Sequence, residues 1–314
     1  MNIAYLISAH TDAPQLARLI AALHADAEFF VHIDKKSDIS PFRQTITAPN
    51  VHFVERRIDV RWGTLLEVEY QMELIWAAVF HPRRFDRLFF LSGMDYPLWS
   101  NERITQWLEQ LGDREVLQGI CMDTPFIQEG QRELYTVSRP LFRLFNNKWN
   151  QRASILLRKV LKAVGYRKRL SFKLNGTPWH LYKGSAWWSI SEELAKFVLL
   201  NYAGQAEIEH YFRDSFGQAE TLIQTIAFNS KEWASKCMLT EGGYPGLDAL
   251  TPLHYIVYDP VIKVMEAEDF PALMQSGKMF ARKFRSGVSD EVVRRIDAER
   301  LIGPAAASQK PPPA

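Results

Sequence analysis

The chain has 314 residues, of which 47% are hydrophobic, 24% charged and 12% aromatic. That composition supplies a core and excludes a wholly disordered polymer. Lys and Arg number 38 against 36 Asp and Glu, a net +2, so the molecule as a whole is not an electrostatic nucleic-acid binder. Two cysteines, Cys121 and Cys237, exclude a disulfide framework and a Cys-rich zinc site, and both are expected to be reduced core residues. No apolar run reaches the roughly 18 residues that span a bilayer. The segment from Met1 to Tyr5 has no basic n-region, so the expected location is cytoplasmic, at most peripheral on the inner face of a membrane.

In chain order, Ile3 to Ser8 reads as a buried strand, and Pro14 to Ala25 as a helix with Leu16, Leu19, Ile20 and Leu23 on one face. Asp12 is placed to cap it. Phe29 to Ile33 and Val51 to Val54 are further strands. Leu65 to Phe80 is a long amphipathic helix, and Arg87 to Leu91 a fourth strand closed by Ser92-Gly93. This alternation predicts an α/β fold, a Rossmann-like and mainly parallel central sheet with helices on both faces. Ligands of such sheets sit beyond the carboxyl ends of the strands, where His10, Asp34 and Asp95 fall. Farther on, Leu181 to Ile190 is expected as a strand, Glu192 to Leu200 and Glu220 to Asn229 as helices, His254 to Tyr258 as a strand and Asp269 to Gln275 as a helix. Residues 1–300 are expected to form one domain, its halves 1–115 and 116–300. The Gly-, Pro- and Ala-rich tail 301–314 is expected to be mobile.

Charge is unevenly spread. From Leu134 to Ser191 there is no Asp or Glu but there are 12 Lys or Arg, which leaves 26 bases against 36 acids elsewhere. Within that window Trp149 to Val164 reads as a basic amphipathic helix. Three readings follow for the basic region 139–173: a packed helix with a solvated face, contact with an anionic membrane, or attraction of an acidic substrate. No nucleic-acid-binding motif accompanies the charge.

Common catalytic motifs are absent: no G-x-G-x-x-G, no P-loop, no G-x-S-x-G and no H-E-x-x-H. There is also no Asp-x-Asp to hold a divalent cation on a diphosphate, so cationic side chains would have to replace the metal in any nucleotide-sugar chemistry. Phe280-Ala281-Arg282-Lys283-Phe284 offers two cations between aromatic anchors, with Lys263 upstream. Lys acts as a point charge on phosphate and Arg as a bidentate fork. The plainer reading is an ordinary basic loop.

Several segments in order resemble glycosyltransferase family 14, the branching β-1,6-N-acetylglucosaminyltransferases and peptide O-xylosyltransferases. They are Val31-His32-Ile33-Asp34-Lys35-Lys36-Ser37-Asp38, Arg61-Trp62-Gly63, Leu91-Ser92-Gly93-Met94-Asp95-Tyr96-Pro97-Leu98, Gly184-Ser185-Ala186-Trp187-Trp188, Ala219-Glu220-Thr221 and Phe280 to Phe284. The resemblance implies a GT-A-like variant fold, inversion at the anomeric carbon, a UDP-sugar donor and no metal or other cofactor. It implies that Glu220 is the general base and that Lys283 neutralises the leaving diphosphate. It places Asp34 near the uridine and Asp95 near the donor sugar, with turn formation as the plain alternative for each. Lys263 departs from the family pattern, which has His-Pro directly before the basic residue, and Arg282 is the substitute. Ala219 stands where the family often has Asp. Trp187, Trp188 and Tyr96 are candidates for the acceptor cleft, although adjacent tryptophans in a strand face opposite ways. Trp62-Gly63 is expected only to pack the long helix.

The expected function is therefore transfer of GlcNAc from UDP-GlcNAc to a glycan or lipid-linked glycan hydroxyl. A UDP-xylose-dependent peptide O-xylosyltransferase is the near alternative. A non-catalytic binder of acidic polymer, or a degenerate transferase fold used as a scaffold, is the alternative of another class.

Overall fold

The computed structural model describes residues 1–124, 127, 135–136, 148–259 and 261–302. Its centre is a five-stranded sheet. In chain order the strands are β1 (Ile3–Ala9), β2 (Glu28–Ile33), β3 (Val51–Phe53), β4 (Arg87–Ser92), β5 (Asp95–Pro97), β6 (Gln118–Cys121), β7 (Ser171–Leu174), β8 (Thr177–His180), β9 (Tyr182–Gly184), β10 (Ser189–Ile190), β11 (Met238–Leu239), β12 (His254–Ile256), β13 (Tyr258–Asp259), β14 (Val261–Ile262) and β15 (Phe280–Arg282). The central order is β10-β4-β1-β2-β3. β1 pairs parallel with β2 and β4, β2 pairs parallel with β3, and β10 runs antiparallel along the edge. The expected mainly parallel α/β sheet is what forms.

Strand alternation divides the core. Ala4, Leu6, Phe30, Leu88 and Phe90 face the helix Leu66–Val79. Tyr5, Ile7, Phe29, Val31, Phe89 and Leu91 face the helix Ala13–Ala22. A strand buried on both faces must be apolar throughout, which is why β1, β2 and β4 carry no polar stripe. Asp12 caps the helix Ala13–Ala22 by accepting from the Gln15 N–H at 3.1 Å, and the same carboxylate accepts from the Ser286 N–H and Oγ. The loop before the helix Asp290–Ile302 is thereby tied to the first helix.

β1 lies between β2 and β4, so the chain reverses its direction of sheet growth there, and a crevice opens above the carboxyl ends. Gly93 lets β4 and β1 close up at that point: a Cβ there would come within 2.8 Å of the Ala9 Cβ. A smaller sheet of order β12-β15-β5 covers one side of the crevice. Its register sets Arg282 opposite both Asp95 and Ile256.

Two expectations need correction. Leu181 to Ile190 is not one strand: β9 pairs with β6 and β10 with β4, and the break between them carries Ser185 to Trp188. Glu220 to Asn229 is not one helix: a 3-10 turn, Gln218–Glu220, precedes the helix Leu222–Phe228. The helices Asn101–Leu111 and Asp290–Ile302 were not anticipated. The basic helix forms as Lys148–Ala163; Leu157 and Leu161 are half-buried, while Leu156, Val160 and Val164 are exposed. Residues 139–147 of the basic region and the tail 303–314 lie outside the described residues. Both cysteines are free, Cys237 buried and Cys121 half-buried. Among the described residues no helix is long and apolar enough to cross a membrane.

Candidate active site

The crevice is a cavity of about 380 Å³ lined by the ends of β1, β2 and β4 (His10, Asp34, Ser92), by Trp62, Glu67, Trp187 and Tyr258, and by Glu220 and Arg282. Asp34 ends β2. Its Oδ1 accepts from the Lys36 N–H at 3.0 Å and its Oδ2 pairs with the Lys36 ammonium at 2.9 Å, while Arg57 binds its carbonyl at 2.8 Å. It is both the turn residue of the plain reading and a cavity carboxylate.

Glu220 enters from the 3-10 turn that Gly217 starts in the left-handed conformation at φ 61°, which a side chain rarely tolerates. Its Oε2 accepts from the Lys183 ammonium at 2.5 Å. Lys183 stands on β9 with its side chain only 6% exposed. Burial works against its charge, but Glu220 and Tyr135 outweigh burial and hold it above the usual lysine range. A buried, permanently charged lysine thus fixes one carboxylate oxygen of Glu220. Among the described residues Oε1 makes no hydrogen bond. The sequence carried no warning of Lys183 beyond its place next to the Gly184-Ser185 motif.

Asp95 does not touch the cavity. It is fully buried, accepting from the Ser92 N–H at 2.7 Å, pairing with Arg282 at 3.0 Å and bonding His254 Nε2 at 3.1 Å. Burial opposes its charge, and His254, Arg282 and the Ser92 N–H together hold its carboxyl below the usual range. Its position supports a role in aiming Arg282, not in contacting a donor sugar. Arg282 lines the cavity with its guanidinium 5.4 Å from the centre of the Trp187 ring. Lys283 follows it, half-buried and without an ion-pair partner among the described residues. Desolvation, Arg282 and Arg285 push its ammonium below the usual lysine value. A half-buried, uncompensated cation next to a second one is what an anion would relieve. Lys263 lies beside Lys283 along the backbone, yet its ammonium pairs with Asp269 at 2.6 Å and is not free for phosphate.

The aromatic candidates separate. Trp187 lines the cavity. Trp188 is fully buried against Phe90, so it is core and unavailable to an acceptor. Tyr96 alternates with Asp95 along β5, points to the other side and donates to Asp297 at 2.9 Å, outside the cavity.

Three cavity residues had not been singled out for chemistry. Trp62 is 69% exposed with its ring against Phe216, an open face at the rim where a sugar could stack. His10 is pushed below its usual pKa by desolvation and by the Arg282 and Lys283 cations, with Asp34 opposing. Glu67, in the first turn of Leu66–Val79, accepts from the Gly63 N–H at 2.7 Å. Burial, opposed by that bond and reinforced by the Glu220 charge, raises its pKa to about 7. The sequence signal was only its spacing four residues after Gly63 on a helix start.

That shift predicts a pH dependence. A carboxyl held near 7 when folded but near 4.5 when unfolded binds its proton more tightly in the native state. Its stabilisation is full below pH 4.5 and is lost as pH rises through about 7, a span of about 3 kcal/mol. Melting temperatures measured from pH 4.5 to 8 are expected to fall more steeply for the wild type than for Glu67→Gln; equal slopes would remove Glu67 as the cause.

A family model described as Core-2/I-Branching enzyme matches residues 3–245. The chain belongs to that family. A xylosyltransferase of Ciona intestinalis is 27% identical over 244 residues, covering 73% of this chain and 25% of that protein; the chain thus spans about a quarter of its relative's length. Solved structures resemble it only loosely. The 4-diphosphocytidyl-2C-methyl-D-erythritol synthase of Anaerococcus prevotii shares 13% identity at a TM-score of 0.37, covering 87% of this chain and 95% of that one. Residues 1–349 of Staphylococcus aureus TarS with UDP share 12% at 0.33, covering 96% and 71%. The Core-2/I-Branching match ends before β15, so geometry alone places Arg282 in the cavity, and Lys283 follows it in sequence without lining the cavity.

Proposed function

We propose that the chain is an inverting glycosyltransferase that moves a sugar, GlcNAc in the first instance, from a UDP-sugar to a hydroxyl of a glycan or lipid-linked glycan. What carries this reading is that Glu220 and Arg282 face one cavity at the carboxyl end of a parallel sheet, with Lys283 next along the chain. The acceptor oxygen attacks the anomeric carbon as its proton passes to Glu220 Oε1. The carbon–oxygen bond to UDP breaks, and its electron pair stays on the β-phosphate. Direct displacement needs one base on the face opposite the leaving group. Arg282 and Lys283 meet the charge that grows there, the task a metal ion performs in other transferases. Asp34 receives the nucleoside, Trp62 and Trp187 flank the sugars, and residues 1–115 and 116–300 supply the nucleotide and diphosphate sides respectively.

A UDP-xylose donor with a peptide acceptor is the second reading, favoured by the xylosyltransferase relative. UDP release measured with UDP-GlcNAc, UDP-xylose, UDP-galactose and UDP-glucose in the presence of EDTA tests both. Turnover with UDP-GlcNAc at a rate unaffected by EDTA is expected. Turnover lost in EDTA and restored by manganese would overturn the cationic replacement of the metal, and no turnover with any donor would favour a non-catalytic binder.

A further inference from the structure

The helix Lys148–Ala163 half-buries Leu157 and Leu161 but leaves a neighbouring apolar strip exposed. Leu156 is 63% exposed, Val160 49% and Val164 72%; the Val164 N–H still bonds the Val160 carbonyl, so the helical face continues through it. At about 100° per residue, Leu156, Val160, Ala163 and Val164 share an arc of about 100°. Arg158, Lys162, Lys159 and Arg152 follow on an adjoining arc, with Ile155 among them and Arg152 directly beside the apolar strip. Beyond the helix Tyr166, Arg167 and Arg169 are exposed as well. A helix of a globular protein normally buries such an apolar stripe, and an exposed apolar patch rimmed by one sign of charge marks a contact surface.

We propose that this face docks on an anionic phospholipid bilayer, with Leu156, Val160 and Val164 between the acyl chains and the cations reaching the phosphates. Charge selects this occupant. With no Asp or Glu from Leu134 to Ser191, a second copy of the same face would be repelled. An acidic polysaccharide or nucleic acid would satisfy the cations but leave the apolar stripe in water. The platform is also coupled to the cavity. Lys168, just after the helix, bonds Asp214 and the Tyr211 carbonyl, and the Tyr211 hydroxyl donates to the Arg169 carbonyl at 2.8 Å. Asp214 stands in the loop that leads to Glu220. A docked helix therefore holds the cavity at a fixed height near the bilayer. The inference is independent of the catalytic reading.

The test is flotation of the full chain with vesicles of phosphatidylcholine alone or mixed in equal parts with phosphatidylglycerol. Binding is expected only to the anionic vesicles, falling with salt and about fivefold for each cation removed. Leu156→Glu with Val160→Glu is expected to abolish flotation while leaving UDP release and the melting temperature unchanged, because neither side chain is in the core. Should that variant unfold, Lys159→Glu with Lys162→Glu reads the same face through its charge and should also abolish flotation. Equal binding to both vesicle types, or full binding by both variants, overturns the proposal. Binding to a polyanion that survives Leu156→Glu with Val160→Glu assigns the face to polymer instead. A solution dimer that this variant converts to monomer assigns it to a second copy.

Discussion

Replacing Glu220 by Gln is expected to lower sugar transfer about 10³-fold, within the range for loss of a general base, while UDP binding measured by calorimetry stays within about twofold. Gln is the informative substitute because its amide oxygen can still accept from the Lys183 ammonium, which the structure places 2.5 Å away. An Ala at this site would strand a buried lysine and mix folding with catalysis. The proton, however, has nowhere to go, since an amide oxygen is far less basic than a carboxylate. Transfer by the Gln variant within tenfold of wild type would remove Glu220 from the chemistry, and loss of UDP binding would make it a donor ligand instead.

The second large effect is thermodynamic. Asp95→Ala removes the common partner of Arg282, His254 and the Ser92 N–H from a site with no solvent access. Arg282 can turn to the cavity, but stranding the buried His254 and Ser92 N–H costs about 1–3 kcal/mol each, and urea unfolding should show a loss of about 3 kcal/mol. Freed from Asp95, the guanidinium should also lose its aim, so UDP affinity falls along with stability. Asp95→Asn retains an oxygen for one of the three donors and should be intermediate. A loss below about 1 kcal/mol would mean that the cluster relaxes freely and that Asp95 fixes nothing.

The central sheet was legible because β1, β2 and β4 are apolar on both faces and end in Ser, Gly, Asp or Lys, a local pattern. The ends of those strands then named Asp34 correctly as a cavity residue. Asp95 was found by the same rule but misplaced, since burial depends on β15 arriving opposite β5, and nothing near Asp95 in the sequence announces a strand nearly two hundred residues away. Lys183 and Glu67 escaped because one matters through its pairing with Glu220, 37 positions on, and the other through burial, neither of which leaves a local trace. Trp187 and Trp188 do separate, but in the break between two short strands of different sheets, not by alternation along the one strand assumed for them. The basic helix was located well, but whether its apolar side would find a core depends on what packs there, which periodicity does not encode.

The bond from Ser286 to Asp12 spans 274 positions, and it has a consequence during synthesis. The parallel strands are complete by Ser92, but Arg282, Lys283 and the clasp on the first helix are synthesised only long afterwards. Contacts so distant in sequence form slowly. A polypeptide clipped before β15 would lack Arg282 and Lys283, and with them the cations that the proposed transfer assigns to pyrophosphate.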